Sequence, residues 1–312
     1  MAEVVMVGEG MIELSRGAED RGGSDQVEGG SWRLGYGGDT LNTAIHLARL
    51  GDDVRFLTAL GSDPFSAELR AQWAAEGLDM DSVLTDPTAN PGLYAISTDA
   101  DGERTFTYWR HDSAARRLFD VPGITAATER AARADLLGFS LISLAILPEE
   151  GREALVALAA RVRVHGGAVA FDGNYRARLW ADLATARYWR DRAIAACTIG
   201  LPTREDEAMM SDDEDAFAIA ARWQALGARE VVVKLGADGA LIPGGVTIPP
   251  PARLSPRDTS GAGDAFNAGY LHARLRGADP AAAARTGHDV AGWVVMRPGA
   301  IPPRDDQAPY GG

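Results

Sequence analysis

The sequence predicts an α/β protein, a three-layer α/β/α domain with a mainly parallel sheet and a small β-sheet lid. Short apolar runs alternate with amphipathic helical segments from residue 136 onward. A glycine-rich turn leads into a helical pattern near residue 262, and a hairpin pattern separates two helical segments near residue 100. Alternating strands and helices imply parallel pairing, and ligands of such sheets gather at the carboxyl ends of the strands.

The first predicted strand covers residues 4–8 and ends in Gly8-Glu9-Gly10. Glu13 stands where the third glycine of a dinucleotide fingerprint belongs, which disfavours a nicotinamide-dependent dehydrogenase. Residues 16–31 are glycine-rich and charged, and we predict a mobile loop there. Residues 35–44 then open an amphipathic helix that runs to Leu50. Gly37 and Gly38 would let a sugar approach the backbone. Asp39 and Asn42 offer hydrogen bonds to hydroxyls, although Asn42 could instead order the turn.

Residues 54–60 predict a strand and residues 64–76 a helix. Residues 92–98 and 104–109 alternate apolar and polar side chains around a 99–102 turn, which predicts a β-hairpin. The lid would therefore take its strands from about 10–36 and 90–112, within a single domain spanning 1–312. Four side chains of interest lie on the hairpin: Tyr94, Tyr108, Trp109 and Arg110.

The second half predicts strands at 136–140, 168–172, 198–201 and 231–235, with helices at 148–165, 183–196 and 214–226. We interpret the apolar run 136–147 as a buried strand and its following loop. Polar residues follow several of these strands, namely Asp172, Asn174, Arg176, Glu205 and residues 234–239. A phosphate-binding loop with a Gly-Lys-Ser/Thr ending is absent from the sequence, which disfavours a P-loop nucleotidase.

The turn at residues 258–264 carries the strongest chemical signal. Gly261 and Gly263 remove side chains, so that backbone N–H groups can converge on an anion at a helix start. Asp264 could then accept a proton from an attacking hydroxyl beside a transferring phosphoryl group. The simpler interpretation is that Asp264 only caps the helix.

Composition limits the remaining possibilities. The chain has 312 residues, a mass of 33.0 kDa and a formal net charge of -13. This charge argues against binding to nucleic acid or anionic membranes. The single cysteine, Cys197, excludes an intrachain disulfide and suits a reducing cytoplasm. The first residues lack a signal-peptide pattern, and the longest apolar run is too short to cross a bilayer.

Two motifs resemble the signatures of the ribokinase/PfkB carbohydrate kinases, one at residues 258–266 and the other, Gly-Gly-x-x-x-Asn-x-Ala, at residues 37–44. Segments at 8–15, 102–110, 142–147, 172–180 and 297–301 are similar to the branch of this family that phosphorylates sugar acids. The resemblance implies a ribokinase-like fold. It also implies ATP-dependent phosphorylation of the 6-hydroxyl of 2-keto-3-deoxygluconate, which gives 2-keto-3-deoxy-6-phosphogluconate.

The resemblance also implies residue roles. Asp264 would be the catalytic base, with Gly261, Ala262 and Gly263 as the anion hole. Arginines would bind the substrate carboxylate through charge-assisted hydrogen bonds, although from sequence alone they could be solvated surface residues. The implied sugar-acid residues are Gly38, Tyr94, Tyr108, Arg110, Arg176 and Asp264; the implied nucleotide residues are Asn174, Lys234, Gly236, Asp238, Gly239, Gly261 and Gly263.

Magnesium is expected from the phosphoryl chemistry, but the sequence shows no dedicated metal cage. The family's Asn-x-x-Glu motif corresponds here to residues 202–205 without the asparagine, which leaves Glu205 as a candidate ligand through water. Two alternatives stay open: another PfkB sugar kinase, such as a fructokinase or ribokinase, and a catalytically silent sugar-acid sensor. Family members often dimerise through the lid sheet, and the apolar hairpin is compatible with such a homo-oligomer.

Overall fold

The computed structural model describes residues 2–16, 32–98, 104–211 and 214–311. In chain order its strands are β1 (Glu3–Val7), β2 (Met11–Arg16), β3 (Arg33–Gly37), β4 (Asp53–Leu60), β5 (Val83–Thr85), β6 (Gly92–Thr98), β7 (Arg104–Trp109), β8 (Leu136–Ser140), β9 (Ala168–Asp172), β10 (Ile199–Gly200), β11 (Glu230–Val231), β12 (Val233–Lys234), β13 (Ala240–Ile242) and β14 (Val246–Ile248). The α-helices are α1 (Asp39–Arg49), α2 (Pro64–Ala75), α3 (Ile124–Ala131), α4 (Leu141–Ile146), α5 (Glu149–Val164), α6 (Leu183–Ala196), α7 (Arg204–Ser211), α8 (Ala216–Leu226), α9 (Ala262–Leu275) and α10 (Pro280–Val295).

A seven-stranded parallel sheet forms the centre, in the order β11-β10-β9-β8-β1-β4-β5. Along β1, Val5 and Val7 belong to one buried cluster, while Val4 and Met6 belong to another. Successive strand side chains point to opposite faces, so both faces of the sheet are covered. The predicted three-layer architecture is therefore confirmed.

Two smaller sheets accompany the central one. A four-stranded sheet has the order β3-β2-β6-β7, with β2 and β6 parallel and the other pairs antiparallel. Its strands come from the segments predicted to form the lid, and the hairpin of β6 and β7 forms as expected. The predicted turn at 99–102 lies outside the described residues. So does the predicted loop at 16–31, except for Arg16, which ends β2. A three-stranded antiparallel sheet contains β12, β13 and β14.

Two local predictions were wrong. Residues 141–147 are not a loop, because Leu141–Ile146 forms α4 directly after β8. The side chain of Ser140 accepts a hydrogen bond from Ser143 N, and the Ser143 side chain accepts one from Ser140 N, each at 3.1 Å. This capping box satisfies first-turn donors that would otherwise lack partners. The predicted strand at 231–235 is divided, because β11 pairs with β10 whereas β12 leaves the central sheet to pair with β13.

None of the described helices is both long and apolar enough to cross a membrane. In the central sheet, a large aromatic side chain packs directly against the backbone of a neighbouring strand. Trp223 on α8 is fully buried and stacks on Phe171 of β9 at 5.5 Å between ring centroids. Gly200 lies so close to this indole that a Cβ atom there would approach the Trp223 ring to 2.5 Å.

We therefore expect Gly200→Ala to lower the free energy of unfolding by about 1–3 kcal/mol, since overpacking forces the ring or backbone to move. Urea denaturation measures this change. Gly35→Ala is the matched control, because its new Cβ would come no closer than 3.8 Å to any neighbour. Equal denaturation midpoints for the wild type and Gly200→Ala would contradict the packing argument.

Candidate active site

A cavity of about 680 Å³ lies where the carboxyl ends of the central strands meet the four-stranded sheet. Its wall includes Asp172 at the end of β9, Asp39 at the start of α1, Asp264 in the first turn of α9 and Tyr108 on β7. The edge of the sheet expected to bind ligands is thus the edge that forms the cavity.

The start of α9 has the geometry of an anion site. Gly261 has a φ of 70°, in the left-handed region, and an added Cβ would lie 2.5 Å from Ala300 Cβ. An added Cβ at Gly263 would lie 3.6 Å from Lys234 Nζ, so the ammonium group faces the same helix turn. Ala262 N donates to Thr259 O at 3.3 Å, whereas the other N–H groups of a helix's first turn have no intrahelical partner. These N–H groups, the helix dipole and the ammonium all favour negative charge here.

Asp264 is buried beside this helix start and is held by an amide. Asn42 Nδ2 donates to Asp264 Oδ2 at 2.8 Å, so Asn42 orders the carboxylate. Burial raises the pKa of Asp264 to about 8, with a further upward contribution from the charge of Asp39. A carboxyl with a pKa near neutrality can exchange a proton with a bound hydroxyl.

Two further carboxylates are held by amides or by an ammonium. Asn174 Nδ2 donates to Asp39 Oδ2 at 3.0 Å, and burial raises the pKa of Asp39. Asp172 accepts from Lys234 Nζ at 3.0 Å and from Asn267 Nδ2 at 2.7 Å. Asn174, expected beside the nucleotide, therefore contacts a residue expected beside the sugar, and it links the two predicted parts of the site.

The paired glycines before α1 make room for the cavity wall. A Cβ at Gly37 would lie 2.3 Å from Tyr94 Oη, and one at Gly38 would lie 2.1 Å from the backbone oxygen of Glu9. Tyr94 Oη donates a short hydrogen bond to Glu13, and its ring stacks on Tyr108 at 5.7 Å between centroids. A side chain at Gly37 would displace this aromatic wall, and one at Gly38 would clash with the backbone of Glu9.

Both predicted carboxylate-binding arginines already have a carboxylate partner. Arg110 forms a buried ion pair with Glu9, whose Oε1 also accepts a hydrogen bond from Ser113 Oγ. Arg176 Nη1 lies 3.3 Å from Asp206 Oδ1, and the Arg176 side chain is about half exposed. Arg110 and Arg176 both line the cavity, and within the described residues Nε and Nη2 of Arg110 are buried without a hydrogen-bond partner.

Comparison with known proteins assigns the chain to a family. The pfkB family carbohydrate kinase pattern matches residues 1–307. The chain belongs to the PfkB family of carbohydrate kinases. It is 39% identical over 310 residues to the 2-dehydro-3-deoxygluconokinase of Dickeya dadantii, covering 96% of both chains. It is also 39% identical over 313 residues to the enzyme of that name from Escherichia coli K12, covering 97% and 98%.

The fold agrees with the family. The structure of aminoimidazole riboside kinase from Salmonella enterica, complexed with aminoimidazole riboside and an ATP analogue, superimposes with a TM-score of 0.78 at 25% identity. The match covers 96% of this chain and 94% of that one. The predicted family and the ribokinase-like fold are therefore both confirmed.

Glu205, the residue predicted to hold magnesium through water, does not itself line the cavity of this PfkB kinase. Its side chain is 57% exposed and pairs with Arg204 at 3.2 Å. Helix α7 begins at Arg204, and successive residues of a helix point in different directions. Asp206 therefore lines the cavity together with Thr203, whereas Glu205 does not. Thr203 and Asp206 have the spacing of the family's Asn-x-x-Glu motif, one residue further along the chain than the segment 202–205. Burial raises the pKa of Asp206 to about 6.

Other nucleotide-side residues lie near the cavity without lining it. Gly236, Asp238 and Gly239 belong to the turn between β12 and β13, directly after Lys234. Among the residues that the structure describes, no group of three or more acidic, histidine or cysteine side chains is arranged to hold a metal. Several residues of the cavity wall have no role that the sequence predicts: Glu9, Glu13, Arg178, Asp206 and Asp258.

Asp258 connects the glycine turn to the C-terminal part of the chain. Its Oδ1 accepts from Ser260 N at 2.9 Å and its Oδ2 accepts from Gly299 N at 2.6 Å. The carbonyl of Ala300 in turn lies 2.9 Å from His46 Nε2. The loop at 298–300 thereby braces the turn that begins α9.

We expect Gly261→Ala to lower both kinase turnover and the free energy of unfolding, because the new methyl would occupy the place of Ala300 in an unfavourable backbone region. Gly263→Ala has room for its methyl and should fold like the wild type. Urea denaturation and steady-state kinetics of both variants measure the difference. A Gly261→Ala variant with wild-type stability and turnover would show that the loop at 298–300 does not constrain this turn.

Proposed function

We propose that this PfkB kinase transfers the terminal phosphoryl group of ATP to the 6-hydroxyl of 2-keto-3-deoxygluconate, giving 2-keto-3-deoxy-6-phosphogluconate. The observation that carries the chemistry is the buried Asp264 carboxyl, held by Asn42 in the first turn of α9. The substrate assignment is supported by the two relatives, which share 39% identity over nearly their full length.

In this proposal Asp264 accepts the proton of the sugar hydroxyl as the hydroxyl oxygen attacks phosphorus. The first-turn N–H groups of Gly261, Ala262 and Gly263, with Lys234, stabilise the charge on the transferring phosphoryl group. The four-stranded sheet acts as a lid whose Tyr94 and Tyr108 face the sugar. Excluding water with such a lid limits the transfer of phosphoryl to water.

The residues present fit both a nucleotide and magnesium. Lys234 and the following turn place a positive charge and a glycine-rich backbone beside the start of α9, as a triphosphate requires. Magnesium takes one or two carboxylates and completes its shell with phosphates and water. Asp206, rather than Glu205, would hold it from the cavity wall. When bound, magnesium neutralises phosphate charge.

Two further proposals concern assembly and compartment. Trp32, Leu34 and Trp109 are exposed apolar side chains on or beside the four-stranded sheet. We propose that this surface joins two copies of the chain, since large exposed apolar patches mark association sites. Light scattering of Trp109→Glu against the wild type tests this.

The compartment that we propose is the cytoplasm, because the buried, unpaired Cys197 fits a reducing environment.

A coupled assay of ADP release tests the activity, with a panel of 2-keto-3-deoxygluconate, 2-keto-3-deoxygalactonate, fructose and ribose. The proposal requires the highest kcat/KM with a keto-deoxy acid. A preference for fructose or ribose would instead establish a neutral-sugar kinase. Tight binding of the acid without ADP release would establish a sensor.

Asp264→Asn should keep the fold and sugar-acid binding but reduce kcat about 10²–10⁴-fold, the usual contribution of a general base. The amide is isosteric and retains a hydrogen-bond acceptor for Asn42. Calorimetric titration with the sugar acid gives the binding, and the coupled assay gives kcat. Turnover within threefold of the wild type at saturating substrate would remove Asp264 from the base role.

The pH dependence should reveal the raised pKa of Asp264, about 8 in the free enzyme. Only the ionised carboxylate can act as a base, so kcat/KM should fall as pH drops below this value. Asp39→Asn removes the neighbouring charge that raises this pKa, and its acid limb should therefore move to lower pH. The profile of kcat/KM between pH 5.5 and 9.5 measures the shift. An acid limb at the same pH in both enzymes would disprove the coupling.

A further inference from the structure

The chain that follows α10 passes the cavity and then packs against α1. Residues 298–300 line the cavity wall and form neither helix nor strand. Beyond them, Arg49 at the end of α1 donates to the carbonyl of Pro302 at 2.8 Å, and its guanidinium lies 5.7 Å from the centroid of the Tyr310 ring. The segment at 298–310 therefore connects α1 with the cavity wall.

The loop at 298–300 touches the glycine turn that begins α9. A Cβ at Gly261 would approach Ala300 Cβ to 2.5 Å, and Gly299 N donates to the side chain of Asp258, which precedes the turn. Segments packed this closely shift together, because protein interiors have few voids that could absorb a displacement. The position of Ala300 therefore sets the position of the N–H groups at the start of α9.

One buried histidine holds that loop. His46 on α1 is fully buried; its Nε2 lies 2.9 Å from the carbonyl oxygen of Ala300, and its Nδ1 lies 2.7 Å from Tyr310 Oη. A carbonyl oxygen only accepts hydrogen bonds, so Nε2 carries the proton and donates, which leaves Nδ1 to accept from the tyrosine hydroxyl. Burial lowers the pKa of His46 to about 4, so the ring is neutral near pH 7. The two partners thus specify a single tautomer.

The same face of α1 also orders the base. Asn42 lies four residues before His46, a spacing that places two side chains on one face of a helix. Asn42 donates to Asp264 Oδ2 at 2.8 Å, and Thr43 Oγ1 donates to the backbone carbonyl of Asp264 at 3.3 Å. Helix α1 therefore holds the first turn of α9 in two ways, directly and through Ala300.

We propose that His46 is a positioning residue for phosphoryl transfer, and that its Nε2–H group, through Ala300, fixes the turn at Gly261 relative to Asp264. His46 does not line the cavity, so it acts only through the loop. A misplacement of about 1 Å caused by a distant substitution can cost on the order of 10²-fold in rate. The inference rests on the proposed phosphoryl transfer at this turn and names a residue outside both sequence motifs, 37–44 and 258–266.

The test compares two amides at position 46. The amide nitrogen of a glutamine reaches the place of the imidazole Nε2, so His46→Gln keeps a donor for Ala300. The amide of an asparagine reaches only the place of Nδ1, so His46→Asn loses that donor. We expect His46→Asn to lower kcat about 10–100-fold and His46→Gln to keep kcat within about threefold of the wild type. The calorimetric dissociation constant of the sugar acid should change less than about threefold in both, because the lost interaction acts on the transition state.

His165→Asn is the matched control, because it changes an exposed histidine at the end of α5, outside the cavity, and should leave kcat unchanged. Equal losses of kcat in the two variants at position 46 would overturn the proposal and make His46 a purely structural residue. Wild-type kcat in His46→Asn would also overturn it.

Nitrogen NMR of the imidazole tests the same contact in the wild type, without a substitution that could impair folding. A neutral ring protonated at Nε2 is expected, and a ring protonated at Nδ1 would overturn the proposal, because it has no donor for Ala300. If the wild type releases no ADP with the sugar acid, the proposed substrate fails. The tautomer of His46, and the kcat of the variants with fructose or ribose, then still decide the role of this histidine.

Discussion

The structure depends on holding several buried carboxylates close together. Asp39, Asp172 and Asp264 meet at one edge of the central sheet, and charges in such a place are costly unless they are paired or hydrogen-bonded. The chain satisfies them mainly with amides, one for each carboxylate: Asn174, Asn267 and Asn42. Asp172 also forms an ion pair with Lys234, whereas the amide of Asn42 orients Asp264 without adding a positive charge. The pKa of Asp264 therefore stays raised by burial.

A second consequence concerns the join between the two main sheets. Glu9 lies in the short connection between β1 and β2, where the chain passes from the central sheet to the four-stranded sheet. Its ion pair with Arg110, which follows β7, connects β2 and β7, the first and last strands of the four-stranded sheet in chain order. The ion pair thus fixes one end of the four-stranded sheet at the cavity.

The sequence was sufficient for the parts of the site that depend on local patterns. Gly37, Gly38, Gly261 and Asp264 belong to short motifs whose backbone requirements are visible in a few residues. What could not be predicted depends on helix phase or on distant partners. Glu205 and Asp206 are adjacent, and only the start of α7 decides which one faces the cavity. Likewise, the sequence shows an arginine at position 110, but it does not show that Glu9 forms an ion pair with this arginine.

The hydrogen bond between Asn42 and Asp264 joins residues 222 positions apart. A contact of this span closes only after most of the intervening strands and helices have assembled, since loop closure over a long chain must be offset by other interactions. The glycine turn and the start of α9 are local features, whereas the orientation of the Asp264 carboxylate is a product of tertiary folding.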